Sequence, residues 1–533
     1  MEKLIQRRAN NGKDKHSKKE NKYTQAPEDF EKTEVVEDES FDELEEKELF
    51  GGKKPKKKKT KKKMNKTIFW VIGILTFIIL IFELLMIHRI MANQFNEEEL
   101  KRIVQVEQDD AKKYNENITV KVETNGNVEV QALIPTDASG NPIETIATQM
   151  DSLKQSFLEK YAGASKKTVI FIKAYQTKVI SNVNDIHYYV SVYQQKDRGF
   201  EQVEFEEISH QLVFADSFEP FEISKLFNNE LAMSNFFVKK AIDEAKANGL
   251  TDEQTEKITA QFMDGNWKKL DASIIQNGIR LKFKDANDQD AQWTIPFTEL
   301  FAYMNENMIP ETEKDNFVQY RAAVKEKLAK KRIALSFDDG PRAETTPKVL
   351  EILKQYNAHA TFYIVGSHVE GNEEIIKQIV AQGHELGNHS YSHPLLTKKS
   401  AEEVYNEVKQ TSDLIAKASL GLRPMSLRPP YGGYNKMVAD QAGIAIVNWS
   451  IDSLDWKYRD AAKTIEHIKE NAHNGGILLM HDIHAESVEA LPAVLEYLKS
   501  EGYELVTVTE LMADQPLQPN YVYFNRVDVQ KID

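Results

Sequence analysis

The 533-residue sequence predicts an α/β chain: a distorted or incomplete (β/α) barrel preceded by α+β spacer domains, with one transmembrane helix ahead of both. Three observations predict it. From Arg332 onwards short apolar runs alternate with amphipathic segments, the pattern of parallel strands joined by crossover helices. Between about residues 95 and 310 alternating runs mix with helical periodicity. Thr67 to Ile87 is apolar apart from Glu83, close to the 20 or so residues that span a bilayer core.

The first stretch, residues 1–66, holds almost no apolar side chains and predicts a disordered tail. An acidic block from Glu28 to Glu48 is followed by lysines from Lys53 to Lys66. Lysines against the N-terminal end of an apolar span place that end in the cytoplasm, and they suit anionic inner-leaflet lipid. The span, 67–88, is expected to be an uncleaved anchor, because the charged region before it is far too long for a signal peptide and no A-x-A-like site follows. Glu83 sits near its outer end, within reach of headgroup water. The expected localisation is a single-pass protein of the cell membrane with an extracellular C-terminal part.

No cysteine occurs, which excludes disulfides, a thiol nucleophile and a zinc–thiolate centre. The net charge of −14, with the basic cluster confined to the inner tail, makes nucleic acid an unexpected partner.

Beyond the anchor, Asn93–Tyr114 is polar and predicts a short helix or stalk. Strands are expected at Ile118–Val122, Val128–Leu133, Thr168–Tyr175, His187–Tyr193 and His210–Phe214, and helices at Ile143–Tyr161, Glu230–Asn248 and Thr251–Phe262. These divide into two α+β extracellular domains, 95–217 and 218–325. His187 and His210 are read as ordinary strand positions. Gly278–Phe283 with Trp293–Leu300 resembles the RsiV-type module of exported bacterial wall and sensor proteins. In the last domain, 331–513, strands are expected at Ile333–Phe337, Ala360–Ile364, Ile444–Trp449, Gly476–Met480 and Tyr503–Val506. The helices expected between them are Thr346–Tyr356, Glu373–Gln382, Ala461–Asn471 and Ser487–Ser500. About 180 residues is short for eight full units, hence the incomplete barrel. Residues 514–533 form a tail that packs back or lies free.

Five stretches at or just after strand C-terminal ends carry the chemistry: Ser336-Phe-Asp-Asp-Gly-Pro341, His389-Ser-Tyr-Ser-His393, Arg428-Pro-Pro-Tyr-Gly432, Asp452-Ser-Leu-Asp-Trp456 and Leu478-Leu-Met-His481. Asp-Asp-Gly alone is most often a turn, and two histidines alone are most often loop residues. Together they offer an aspartate and two histidines as three metal ligands, with positions left for water and substrate. A spacing of four puts both histidines on one face of a helical turn, although Pro394 makes that turn short or irregular. Arg428, held before two prolines, suits a fixed guanidinium that orients a carboxylate. Asp455 and Trp456 supply a second carboxylate and a wall, and His481 a mobile proton carrier whose basicity a carboxylate would raise.

These motifs, over residues 332–512, resemble the NodB-homology polysaccharide deacetylases, carbohydrate esterase family four. The resemblance implies Asp338 as general base, and Asp339, His389 and His393 as ligands of a divalent metal, Zn2+ first and Co2+ or another divalent ion next. It implies that Arg428 positions Asp338, that Tyr431 lends its backbone N–H to the oxyanion, and that Asp455 pairs with His481 as general acid. Trp456 and Leu478 are expected to border the acetyl-methyl pocket. Ser336 stands where the family often has Thr. The implied reaction is hydrolysis of the N-acetyl group of a sugar. An anchor and spacer point to wall glycan as the partner, and the layout resembles Gram-positive peptidoglycan N-acetylglucosamine deacetylases, in which added amines hinder lysozyme. Chitin, poly-N-acetylglucosamine and acetylxylan are alternative substrates. Two rival readings stay open: an inactive wall-glycan-binding or sensing protein, and a non-haem iron oxygenase, whose triad is also two histidines and a carboxylate.

Overall fold

The computed structural model describes residues 66–533, with the backbone alone at 66–69. The acidic and lysine-rich stretches of residues 1–65 lie outside the described residues. The chain divides into two units, 1–81 and 82–533.

The first unit's described part, 66–81, belongs to the helix Lys66–Lys112. From Trp70 to Ile81 its large apolar side chains are exposed among the described residues. By length and composition this helix can cross a membrane.

In the second unit the helix continues without a break to Lys112, where a short helix or stalk was expected from Asn93. Leu100, Ile103 and Val104 recur at helical spacing and pack on Leu133, Val169 and Phe171 of a five-stranded sheet, so the stalk is a packed helix. The sheet runs in sequence order: β1 Ile118–Asn125, β2 Val128–Pro135, β3 Thr168–Ile180, β4 Val183–Gln195 and β5 Phe200–Phe214. Only β2 and β3 pair in parallel, across the helix Glu144–Lys160. That helix lays Ile146, Met150 and Phe157 on the other sheet face. The expected strands are all present, and β3 to β5 run longer than read.

Next come the helices Glu230–Ala247, capped by Asn229, and Asp252–Thr259, closed by a Thr251–Gln254 capping box. They cover an antiparallel sheet of β6 Ala272–Ile275, β7 Gly278–Lys284 and β8 Asp290–Pro296 over an aromatic core of Phe237, Phe262, Trp267 and Trp293. A largely exposed helix, Lys314–Ala329, leads on.

The remaining strands form one ten-stranded sheet: β9 Arg332–Asp338, β10 Thr361–Ile364, β11 Glu385–Asn388, β12 Ser426–Leu427, β13 Ala445–Val447, β14 Ile451–Asp452, β15 Ile477–His481, β16 Glu504–Val506, β17 Tyr521–Tyr523 and β18 Val529–Lys531. The order is β14-β15-β9-β10-β11-β12-β13-β17-β18, with β16 also on β9. Every pair is parallel except β17 with β18. Its ends are not paired to each other, so the barrel is incomplete, as expected. Residues Ile333, Leu335 and Phe337 of β9 face the outer helices, whereas Ser336 and Asp338 alternate to the inside. Short strands β11, β12, β14, β17 and β18 escaped the sequence reading, as did the 18-residue helix Ala401–Ala418. The segment beyond Met512 packs back: β17 extends the sheet on β13.

The second α+β region is docked onto this sheet's helical side. Asn235 both donates to the Arg423 carbonyl (2.8 Å) and accepts its N–H (3.0 Å), and the Arg423 guanidinium reaches Asp413 at 2.9 Å and Asp264 at 3.2 Å.

Candidate active site

β9 ends at Asp338, and the next residue takes a left-handed conformation, φ 74°. A strand would send adjacent side chains to opposite faces. The reversal at Asp339 brings both carboxylates to one site.

Asp338, buried, receives the Arg428 Nη1 at 2.7 Å. Arg428 is wholly buried, and five donors need partners there. Four of them are met by Asp338, the Ser336 hydroxyl at 2.7 Å and the carbonyls of Val447 and Asn448 at 3.2 and 3.1 Å, with the guanidinium plane over the Tyr363 ring. The Ser336 hydroxyl in turn donates to the Leu478 carbonyl at 2.7 Å. Any hydroxyl residue would serve, which accounts for a Ser or a Thr here.

His389 follows β11, and its Nδ1 donates to the Arg428 carbonyl at 2.6 Å. That bond fixes the tautomer and leaves Nε2 as a lone pair 3.4 Å from Asp339 Oδ1. His393 Nε2 lies 3.3 Å from the same oxygen. The pair is not on a helical turn: Ser390 and His393 both have positive φ, so an irregular loop carries them, consistent with Pro394. Burial and the neighbouring His389 hold His393 below the usual histidine range, favouring the neutral ring. For Asp339, burial works upward but His389, His481 and His393 outweigh it and hold the carboxyl well below the carboxylate range.

The Asp339, His389 and His393 ligand atoms lie within 4.8 Å of one another. Asp339 Oδ1 is buried without a well-formed hydrogen bond. Three potential ligand atoms converging at one point fit a divalent cation, and one carboxylate with two imidazoles suits a borderline or hard one.

On the opposite side His481, at the end of β15, donates Nδ1–H to Asp455 Oδ1 at 2.7 Å. Burial lowers the imidazole's proton affinity, but Asp455 more than reverses this, and the net position is pushed up to about 9. Asp455 is fixed by three further donors: the His481 N–H at 2.8 Å, the Ser487 hydroxyl at 2.6 Å and the Trp456 N–H at 2.7 Å. Ser487 was not singled out in the sequence, since it sits in a helix with no motif around it. His481 Nε2 faces Asp339 Oδ2 at 3.9 Å.

Trp456 is half-exposed, and Tyr431, at φ 61°, is 71% exposed with its ring 4.9 Å from that of His393, so both are open to solvent at the site. Leu478 does not. It is fully buried among Ile333, Leu335 and Phe337 on the helix-facing side. Side chains alternate along a strand, so Leu479, two residues before His481, shares the histidine's face instead. His484, whose ring lies 5.6 Å from that of His481, was also missed.

The sequence that builds this site has relatives among known proteins. The family described as polysaccharide deacetylase matches residues 325–447, and that described as peptidoglycan GlcNAc deacetylase N-terminal domain matches 98–317. A peptidoglycan-N-acetylglucosamine deacetylase of Bacillus cereus is 36% identical over 210 residues, which are 38% of this chain and 96% of that protein. The chain belongs to the polysaccharide deacetylase family. Two longer relatives are similar over part of their length. The peptidoglycan-N-acetylglucosamine deacetylase PgdA of Listeria monocytogenes is 37% identical over 267 residues, 50% of this chain and 56% of that protein. The peptidoglycan-N-acetylmuramic acid deacetylase PdaC of Bacillus subtilis is 41% identical over 181 residues, 34% of this chain and 38% of that protein. The chain therefore covers little more than half of the first and well under half of the second. Polysaccharide deacetylases use a divalent metal, and Asp339, His389 and His393 are the candidate ligands here.

Proposed function

We propose that this chain removes the N-acetyl group from N-acetylglucosamine in peptidoglycan, releasing acetate and leaving a glucosamine on the glycan strand. One observation carries the reading: a carboxylate bound to a buried arginine and a histidine bound to a buried carboxylate face each other across a three-ligand cluster. That is a base, an acid and a metal seat in one groove.

Zn2+ is the proposed ion. When bound it supplies Lewis acidity, polarising a carbonyl and lowering the pKa of water from 15.7 towards about 7. The protein groups do the rest. Asp338 Oδ1 is committed to Arg428, which leaves Oδ2 to take the proton of the attacking water. The water oxygen bonds to the acetyl carbon, and the carbonyl oxygen gains the charge that the Tyr431 N–H receives, a donor worth on the order of 3 kcal/mol. His481 gives its Nε2 proton to the departing nitrogen as the C–N bond breaks, while Asp455 stabilises the imidazolium before that transfer. Trp456 and Leu479 would wall the methyl group.

The apolar helix would anchor the chain with residues 1–65 on the cytoplasmic side and the catalytic sheet against the wall. The lysines before it would meet anionic lipid. A second reading, acceptance of N-acetylmuramic acid, is favoured by the likeness to PdaC. Acetate release by the purified full chain with zinc, measured on peptidoglycan, chitin oligomers and acetylxylan, tests both. Release from peptidoglycan, lost in His481→Ala, is the expected result. Release from chitin or acetylxylan alone would overturn the substrate, and mass spectrometry of the digested wall would assign the acetyl to one sugar or the other.

A further inference from the structure

Asp482 follows His481 and has no part in the chemistry above, yet it is completely buried. No lysine or arginine pairs with it among the described residues. One oxygen, Oδ2, accepts the Thr346 hydroxyl at 2.5 Å, and Thr346, also wholly buried, accepts the Arg342 N–H at 2.8 Å. The other, Oδ1, has no well-formed hydrogen bond among the described residues. Both lie directly beneath Gly340: a Cβ there would stand 2.3 and 2.5 Å from them. Burial pushes this carboxyl up to about 7, a cost that a fold's stability alone does not call for.

We propose that Asp482 is a positioning residue that holds the loop Asp339–Arg342, and with it the ligand Asp339, at a fixed distance from His481. The inference rests on the metal-binding reading of Asp339, His389 and His393. A hydroxyl has one proton. Donating it to Asp482 obliges Thr346 to act as acceptor towards Arg342, so the carboxylate sets the direction of the relay that ties down the loop's far end. At the near end His368 Nδ1 bonds the Asp339 carbonyl at 2.8 Å. Between the two, Gly340 is the residue type that lets the chain cross over a carboxylate. Because Asp482 and His481 are adjacent at the end of β15, the same strand end aims the proton donor and props the ligand loop. A shift of β15 would then move both together, preserving the 3.9 Å between His481 Nε2 and Asp339 Oδ2.

The test uses the full chain in detergent, with Zn2+ affinity from chelator competition, steady-state kinetics on a soluble peptidoglycan fragment and thermal melting. Asp482→Ala and Thr346→Val are expected to weaken Zn2+ binding about tenfold or more, in the range typical of groups that orient a metal ligand. Both should lower kcat with KM within about twofold. Thr346→Ser, which keeps the hydroxyl, should restore both. Should Asp482→Ala fail to fold, the Thr346 pair carries the comparison. Thr346→Val with Zn2+ affinity and kcat within about twofold of wild type, whatever its melting temperature, would make Asp482 a structural residue only and overturn the proposal. A wild-type chain that binds no divalent cation would instead sink the metal reading, and this proposal with it.

Discussion

The second unit contains two pairs of histidines beside carboxylates, and they do opposite things. His389 and His393, rings 5.0 Å apart, turn bare nitrogens towards Asp339, whose Oδ1 is left without a good donor. His187 and His210, stacked at 5.7 Å on β4 and β5, have a carboxylate at each ring nitrogen. Asp185 lies between them at 3.4 and 3.1 Å, Glu207 meets His187 at 2.8 Å, and Asp271 meets His210 at 2.7 Å. For His210, acceptors on both nitrogens are both satisfied only by the imidazolium form. The first pair presents ligand atoms to a cation, while in the second Asp185 and Asp271 hold a proton on His210. Residue type is the same in both; the hydrogen bond to the far nitrogen decides.

The largest effect should come from breaking the metal pair. Asp339→Ala or His389→Ala is expected to abolish zinc stoichiometry and acetate release, whereas His187→Ala and His210→Ala should leave zinc content unchanged, as metal analysis would read. Next, Asp455→Asn should cost about a hundredfold in kcat with full zinc content, separating proton transfer from metal holding in the same assay. On the other side, the completely buried Lys173 sits 2.6 Å from Glu107 and 2.7 Å from Asp110, tying β3 to the long helix. Lys173→Met should destabilise that region by on the order of 3–5 kcal/mol, seen in denaturant melts. A smaller effect belongs to His210. Burial lowers its affinity for protons, but Asp185 and Asp271 raise its pKa from 6.5 to about 9. His187, Glu207 and Lys282, itself paired to Asp271, complete its charged surroundings. A folded-state pKa above the unfolded one stabilises fully below about pH 6.5, and that stability is lost as pH rises through about 9. His210→Gln should flatten this alkaline decline, worth on the order of 1–3 kcal/mol. Last, the exposed Lys377–Asp252 pair between the second α+β region and the catalytic sheet should be worth less than about 1 kcal/mol on Lys377→Ala.

The catalytic pattern was legible in sequence because its residues sit at strand ends bounded by Gly and Pro, where local chemistry announces a turn. The structure brings Asp338, Asp339, His389, His393, Arg428, Asp455 and His481 together. What stayed hidden depends on tertiary contact. Ser487 reaches Asp455 from the middle of an ordinary amphipathic helix, and Asp482 looks like any residue after a strand. Leu478 and Leu479 differ only in strand phase, which a run of apolar residues does not reveal. The helix Ala401–Ala418 did carry a signal, the Ser400–Glu403 capping box. The strands β17 and β18, three residues each, are too short for any periodicity. His187 and His210 are strand residues as read, but alternation could not foretell that each ring would lie between two carboxylates.

The pairing of β17 on β13 has a kinetic side. β13 supplies Val447, whose carbonyl holds Arg428, and the neighbouring Asn448 N–H bonds the Tyr523 carbonyl at 2.9 Å. Between these partners along the chain lie Asp455 and His481, so this contact can form only after both have been made. Until it forms, β13 has an open edge and the arginine's acceptors are unbraced. The groove therefore matures late: a chain still emerging, or clipped before Tyr521, would already contain all five motifs and yet lack the rigid backing that aligns Arg428 with Asp338.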